Sequence, residues 1–343
     1  MSDDLLVSLA DGVAEVTLNR PEALNALTLD MALELYEHLS GWAGDDSIRA
    51  VVVRGAGDRA FCAGGDIRAL YDAKQSGDKL TEDFFRGEYR LNRLIFHYPK
   101  PYIALVDGIA MGGGVGLSVH AGTSIASEAT LFAMPETGIG LFPDVGGSHF
   151  LPRCPGAIGM YLALTGARLR AADCLYAGIY DHYVPKAAHD ALVAGLRAGE
   201  AIGTLVSRLA EDPGLAPLAG LREAIDRCFA QQSVTGVQAA LEREGGEWAE
   251  KMLATMAQKS PTSQKIAWRQ LHKGAAMDFD ACMVMEYRLS QHVMDGHDFF
   301  EGVRALIVDK DNAPKWRPES LDAVDDETVE SYFAPLEDRD LTF

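Results

Sequence analysis

Residues 102–129 read YIALVDGIAMGGGVGLSVHAGTSIASEA, and the order of residue types in them decides the architecture. An apolar run from Tyr102 to Val106 stops at Asp107-Gly108, a glycine cluster follows at Gly112 to Gly114, VGLSVHAG has helical spacing, and TSIASEA opens another strand. Strand, glycine turn, helix, strand is the signature of a βαβ unit, which pairs its strands in parallel through a right-handed crossover. The stretch is also the most membrane-like of the chain. Asp107 and six glycines break it too often for a bilayer span.

Working outward, LLVSLADGVAEVTLN alternates apolar and polar residues around Asp11-Gly12 and predicts a β-hairpin. ALTLDMALELYEHLSGWA has apolar residues at helical spacing, with Thr28 placed to cap the helix. RAVVVRGAG predicts a buried parallel strand. The glycine turn CAGGDIRAL then leads into a helical pattern that continues through FFRGEYRLNRLIF. Beyond about residue 200 the strand signals fade, and helical stretches such as GLREAIDRCFAQ and CMVMEYRLSQHVM take over. The tail, DKDNAPKWRPESLDAVDDETVESYF, predicts a loop and a terminal helix docked on the body; Lys315 and Arg317 are its candidates for holding an anion.

Bulk composition removes whole classes of function. The 343 residues, 48% hydrophobic, can bury a sizeable core, and a formal net charge of −19 repels nucleic acid and anionic membranes. An anionic small ligand needs a local basic patch. The five cysteines are odd in number, scattered, and never in a C-x-x-C pair, which predicts reduced thiols, no zinc site and a cytosolic compartment. The acidic start MSDDLLVSLADG has neither an apolar signal core nor an Arg-rich transit pattern.

Two kinds of residue carry candidate chemistry. CAGGD (62–66) and MGGGVG (111–116) each lie between a strand and a helix, where backbone N–H groups converge, and two such turns facing one another could hold a developing oxyanion. Alternatively, these glycines only let helices approach closely. MPETGIGLFPDVGG (134–147) places Glu136 and Asp144 in an otherwise apolar segment, where a carboxylate must be offset by partners or used for chemistry. Neither a P-loop, a G-x-G-x-x-G fingerprint nor a G-x-S-x-G elbow occurs, and the nine histidines show no metal spacing. Cys62 has no histidine among its sequence neighbours to activate it; His120 and His149 flank the motifs as core groups or as groups behind the site.

Taken together, RPEALNAL (20–27), FCAGGDI (61–67), MGGGVGL (111–117) and PETGIGL (135–141) resemble the crotonase superfamily of coenzyme A thioester enzymes. The resemblance covers essentially the whole chain. SPTS (260–263), MEYRLSQ (285–291), GHDFFEGVRA (296–305) and DKDNAPKWRP (309–318) are similar to its 3-hydroxyisobutyryl-CoA hydrolase branch. Enoyl-CoA hydratases of the superfamily carry a first glutamate in the pattern GGG-x-E, and here that position is Gly116. Asp144, in FPDVGG, stands where those hydratases usually have glycine.

The resemblance implies an α/β fold, a crotonase-like spiral of ββα repeats, with residues 1–200 as the thioester-binding core and 201–343 as a helical region packing over the active site. It implies an oxyanion hole of the Ala63 and Gly113 backbone amides. Glu136 is implied as general base or nucleophile. Asp144 is implied to orient a distal hydroxyl or to shuttle a proton to the thiolate, and Glu88 to contact substrate. For Glu88 the alternative is an exposed helix residue paired with Arg86, Arg90 or Arg93. The implied activity is hydrolysis of 3-hydroxyisobutyryl-CoA or a similar short 3-hydroxyacyl-CoA, as in valine breakdown. Coenzyme A enters as part of the substrate, with no metal and no separate cofactor. The other readings are an enoyl-CoA hydratase and a catalytically silent acyl-CoA-binding protein. No nucleic acid or membrane partner is expected, the compartment is expected to be cytoplasmic, and a homo-oligomer is left open.

Overall fold

The computed structural model describes residues 3–76 and 79–343; Gly77 and Asp78, which the helical pattern after CAGGD runs across, lie outside the described residues. Its strands, in chain order, are β1 (Leu5–Ala10), β2 (Val13–Leu18), β3 (Ala50–Gly55), β4 (Ala60–Cys62), β5 (Tyr102–Val106), β6 (Ile109–Met111), β7 (Thr123–Ala126), β8 (Leu131–Ala133) and β9 (His182–Tyr183). The predicted hairpin forms: β1 and β2 pair antiparallel from Leu5↔Leu18 to Ala10↔Val13. Asp11 and Gly12 at its tip both have positive φ (49° and 77°), as the two-residue turn that suits the strand twist requires. The predicted helix after it spans Leu29–Ala43, and the Thr28 side chain accepts from the Met31 amide.

β2, β3, β5, β7 and β9 pair in parallel, giving a six-stranded sheet in the order β1-β2-β3-β5-β7-β9. Every residue of β5 is buried, and so are the first four of β3, which is why these strands read as unbroken apolar runs and not as alternation. β4, β6 and β8 form a second sheet in that order. The chain thus sends one strand to the large sheet and the next to the small one three times over (β3/β4, β5/β6, β7/β8), the ββα repeat that the resemblance implies.

Two compact units result. The first takes in residues up to Asp66, Gly87–Phe132 and Leu169–Ala219; the second takes in Ile67–Arg86, Ala133–Arg168 and Gly220–Phe343. In the first, one sheet face (Val13, Val52, Ile103, Leu105, Ile125) packs on Leu192, Val193 and Leu196 of helix His189–Arg197 and on Leu205 and Val206 of helix Ile202–Leu209. In the second, no strand lies beyond residue 200 among the described residues, and long helices dominate, chiefly Pro261–Gly274 and Phe279–Asp295. Its tail is pinned by the Trp316 indole donating to the Gln258 carbonyl (3.1 Å) and by Arg288 binding both oxygens of Asp340. Helix Asp326–Ser331 lies in this docked tail, as predicted, and the side chains of Lys315 and Arg317 are exposed.

One element departs from the sequence reading. The helix expected over VGLSVHAG is a single turn, Gly113–Gly116. Glycine is a poor helix former, and the Ser118 hydroxyl donates back to the Gly114 and Val115 carbonyls (2.8 and 3.2 Å), which offers the backbone an alternative to continuing. No helix among the described residues is long and apolar enough to cross a membrane.

Candidate active site

The RPEALNAL turn sets the first glycine loop. Leu24 and Asn25 both have positive φ (54° and 56°), and the buried Asn25 side chain donates to the carbonyls of Ala56 (3.0 Å) and Ala60 (2.8 Å), so this turn is clamped against the approach to β4. From there it captures the loop. The Ala63 amide donates to the Leu24 carbonyl (3.0 Å), the Leu27 amide to Gly64 (2.8 Å) and the Asp66 amide to Leu27 (2.9 Å). Gly64, at φ 117°, turns the backbone after Ala63 in a way side chains rarely allow.

The second loop meets the first at contact distance. A Cβ on Gly114 would stand 2.0 Å from the Cys62 carbonyl oxygen, and one on Gly113 would stand 3.3 Å from the Gly65 nitrogen and 2.3 Å from a Glu88 carboxylate oxygen. Only glycine lets the loops close this far. Glu88, on helix Leu80–Phe96, is 2% exposed and faces Gly113, so it is not the exposed helix residue of the alternative reading.

This geometry corrects the first oxyanion donor. The Ala63 N–H is already committed to Leu24, so it is not free to meet a ligand, whereas the Gly65 amide is the one beside Gly113. Among the described residues no backbone carbonyl accepts from Gly65 or Gly113. The sequence signal was present in the third and fourth letters of CAGGD, but only the capture by Leu24 distinguishes Ala63 from Gly65. A one-turn helix after Gly112 also carries little macrodipole.

In the second unit, Glu136 opens a single 3₁₀ turn, Glu136–Ile139, closed by Gly140 at φ 73°. Two glycines allow helix Asp298–Val303 to press on this turn: a Cβ on Gly140 would be 2.3 Å from the Asp298 carbonyl carbon and oxygen, and one on Gly302 would be 2.5 Å from the Ile139 carbonyl. Glu136 and Asp144 are each 4% exposed. Oε2 of Glu136 meets no hydrogen-bond partner among the described residues. Burial, then the neighbouring charge of Asp144, pushes the Glu136 carboxyl well above the ordinary glutamate range, and Lys259 opposes them from a distance. Lys259 is itself largely buried and held below the usual lysine range, mainly by desolvation; its ammonium would lie 2.9 Å from a Cβ placed on Gly138.

Asp144 starts a strained turn. Val145 and Gly146 both have positive φ (49° and 88°), and the Gly147 amide donates to the Asp144 carbonyl (2.8 Å). For a β-branched residue such as Val145 that conformation costs about 1–3 kcal/mol and persists only where surrounding contacts over-determine it. Those contacts come from two helices. Glu286, fully buried on helix Phe279–Asp295, accepts from the amides of Gly146 (2.7 Å) and Ser148 (2.9 Å) and from the Ser148 hydroxyl, and Gln270, on helix Pro261–Gly274, donates to the Pro143 carbonyl. Desolvation raises Glu286 to about 8 in spite of these three donors, which pull the other way. Sequence reasoning missed Glu286. Its signal was a lone acid inside MEYRLSQ, among residues that are nearly all buried.

The remaining candidates are inert. Burial pushes the Cys62 thiol up to about 12, so it carries no thiolate at neutral pH. All five cysteines are free and buried. His149 falls to about 4 through desolvation and Arg153, and stays neutral. His120 is buried. Among the described residues no group of three His, Cys, Asp or Glu side chains is placed to hold a metal ion.

Comparison with known proteins gives the family. The enoyl-CoA hydratase/isomerase family model matches residues 13–333. The 3-hydroxyisobutyryl-CoA hydrolase, mitochondrial, of Danio rerio is 48% identical over 95% of this chain and 88% of its own length; that of Homo sapiens is 42% identical over 100% and 91%. Among solved structures, a carnitinyl-CoA dehydratase from Mycobacterium thermoresistibile superposes with a TM-score of 0.95 at 40% identity, covering 100% of this chain and 99% of the other. An enoyl-CoA hydratase from Rhodobacter sphaeroides gives 0.92 at 40% identity, covering 99% and 100%.

The relatives correct the expected compartment. Those at 42–48% identity over nearly the whole chain are named as mitochondrial, which points away from the cytoplasm. Reduced cysteines cannot carry the cytosolic assignment, because free thiols exclude only oxidising compartments.

Proposed function

Because the chain belongs to the enoyl-CoA hydratase/isomerase family, we propose that it uses the crotonase fold for hydrolysis: it cleaves the thioester of 3-hydroxyisobutyryl-CoA, or a similar short 3-hydroxyacyl-CoA, to the free hydroxy acid and coenzyme A. The observation that carries the reading is the pair of buried carboxylates on successive turns, Glu136 and Asp144, in a chain whose GGG-x-E position holds Gly116. The names of the curated relatives support the same substrate.

In this reading the thioester oxygen lies between the amides of Gly65 and Gly113, where loss of one donor costs about 3 kcal/mol of barrier. Glu136 either takes a proton from water as that water attacks the carbonyl carbon, or attacks the carbon itself, breaking the C–S bond and expelling the thiolate, to form an anhydride that water then opens. In the first route the tetrahedral intermediate collapses with cleavage of the C–S bond, and the proton held by Glu136 passes to the departing thiolate. A glutamate raised by burial is well matched to both duties, since its conjugate acid returns the proton readily near neutral pH. Asp144 accepts from the distal hydroxyl, so that acyl groups lacking it forgo that contact and react poorly. Glu88 borders the acyl site at Gly113. Water and these side chains complete the reaction with coenzyme A as part of the substrate.

Hydration is the competing reading, favoured by the names of the two solved structures. Thiol release measured across acyl-CoAs with and without a 3-hydroxyl, beside hydration of crotonyl-CoA, separates the two. The expected result is rapid thiol release from the 3-hydroxyacyl substrates and negligible hydration; efficient hydration without thiol release overturns the proposal.

A further inference from the structure

Nothing in the thioester chemistry requires a further buried carboxylate, yet Glu286 is fully shielded from solvent one layer behind the turn that carries Asp144. Its two oxygens accept three hydrogen bonds, all from that turn: the amides of Gly146 and Ser148 and the Ser148 hydroxyl. The turn it grips is the one with Val145 and Gly146 in the left-handed region, a conformation that Val145 does not hold by preference. A neutral amide cannot replace the carboxylate here. Glutamine offers one acceptor oxygen, and its NH₂ would face a backbone N–H across the other half of the grip.

We propose that Glu286 is a positioning residue for the reaction: by anchoring Gly146 and Ser148 it holds the strained turn that fixes where the Asp144 carboxylate stands. The inference rests on the role given to Asp144 above. It adds that the role depends on a residue in the sequence more than a hundred positions away, on a helix that touches no reacting atom.

The test is a double-mutant cycle on thiol release from a 3-hydroxyacyl-CoA, with Glu286→Gln, Asp144→Asn and the double variant, each checked for native circular dichroism. Glu286→Gln is expected to lower kcat about ten- to a hundredfold with little change in KM, the scale of loss for a catalytic group misplaced by about 1 Å. In the Asp144→Asn background the same substitution is expected to cost less than about twofold, because residues acting as one unit are not additive. A merely structural Glu286 would lower thermal stability but give losses that multiply. Should Glu286→Gln fail to fold, Ser148→Ala removes one of the three donors and goes through the same cycle with the same criterion. An impaired Asp144→Asn beside a fully active Glu286→Gln, or multiplying losses, overturns this proposal alone. An unimpaired Asp144→Asn overturns the role of Asp144 and the proposal with it.

Discussion

A carboxyl group with one oxygen unpaired and both shielded from water costs stability, and a protein retains it where the charge is used. Glu136 has one buried oxygen without a hydrogen-bond partner among the described residues, and burial first, then Asp144, raises its pKa while Lys259 opposes them. Both hydrolytic routes need the deprotonated form, so kcat/KM rises with pH through the elevated pKa of Glu136. Removing the Asp144 charge by Asp144→Asn lowers that pKa and moves the acid limb to lower pH. Lys259→Met removes the opposing cation and moves the limb to higher pH. A pH-rate profile of thiol release for the three proteins reads both shifts, and limbs that coincide dissociate Glu136 from the proton-transfer step. Glu136→Gln itself is expected to keep the fold and lose about 10²–10⁴ in kcat, the usual contribution of a general base.

At the scale of elements, the two glycine loops work because backbone replaces side chain at their crossing. Gly114 stands against the Cys62 carbonyl, where a Cβ would lie at 2.0 Å, so Gly114→Ala must force β4 and the 112–116 turn apart. The expected cost is about 1–3 kcal/mol in denaturant unfolding, as for other overpacked sites, together with lost turnover as the Gly65 and Gly113 amides separate. Undiminished activity in that variant would detach the crossing from catalysis. The same crossing shows what the sequence could and could not yield. Period and turn chemistry disclosed the hairpin, the Thr28-capped helix, the parallel strands and the helical second half, because each is written in neighbouring residues. The extent of the helix after Gly112 was not legible, since glycine's poor helix propensity and the Ser118 hydroxyl bond to Gly114 weaken it in ways no periodicity records. Likewise CAGGD marked the loop but not the amide: Ala63 is withdrawn by Leu24, a partner 39 positions earlier, and Glu286 reaches Gly146 across 140. Long-range pairing of that kind is where spacing stops being informative.

For the molecule as a whole, charge governs how substrate arrives. A formal net charge of −19 opposes a coenzyme A thioester, whose phosphates are anionic, long before any local lysine or arginine can act. Repulsion of this kind extends over the Debye length, which shrinks from about 30 Å at 0.01 M salt to about 8 Å at 0.15 M. Raising ionic strength over that range is therefore expected to increase kcat/KM for the CoA substrate severalfold while leaving kcat nearly constant, because encounter is affected and chemistry in a dry site is not. The matching pantetheine thioester lacks the nucleotide phosphates and is expected to show a nearly flat salt response, which separates electrostatic encounter from any effect of salt on the fold. A kcat/KM that falls with salt for the CoA thioester alone reverses the assignment: a basic surface near the entrance then outweighs the global field, and arginine or lysine substitutions that restore the flat response would locate it.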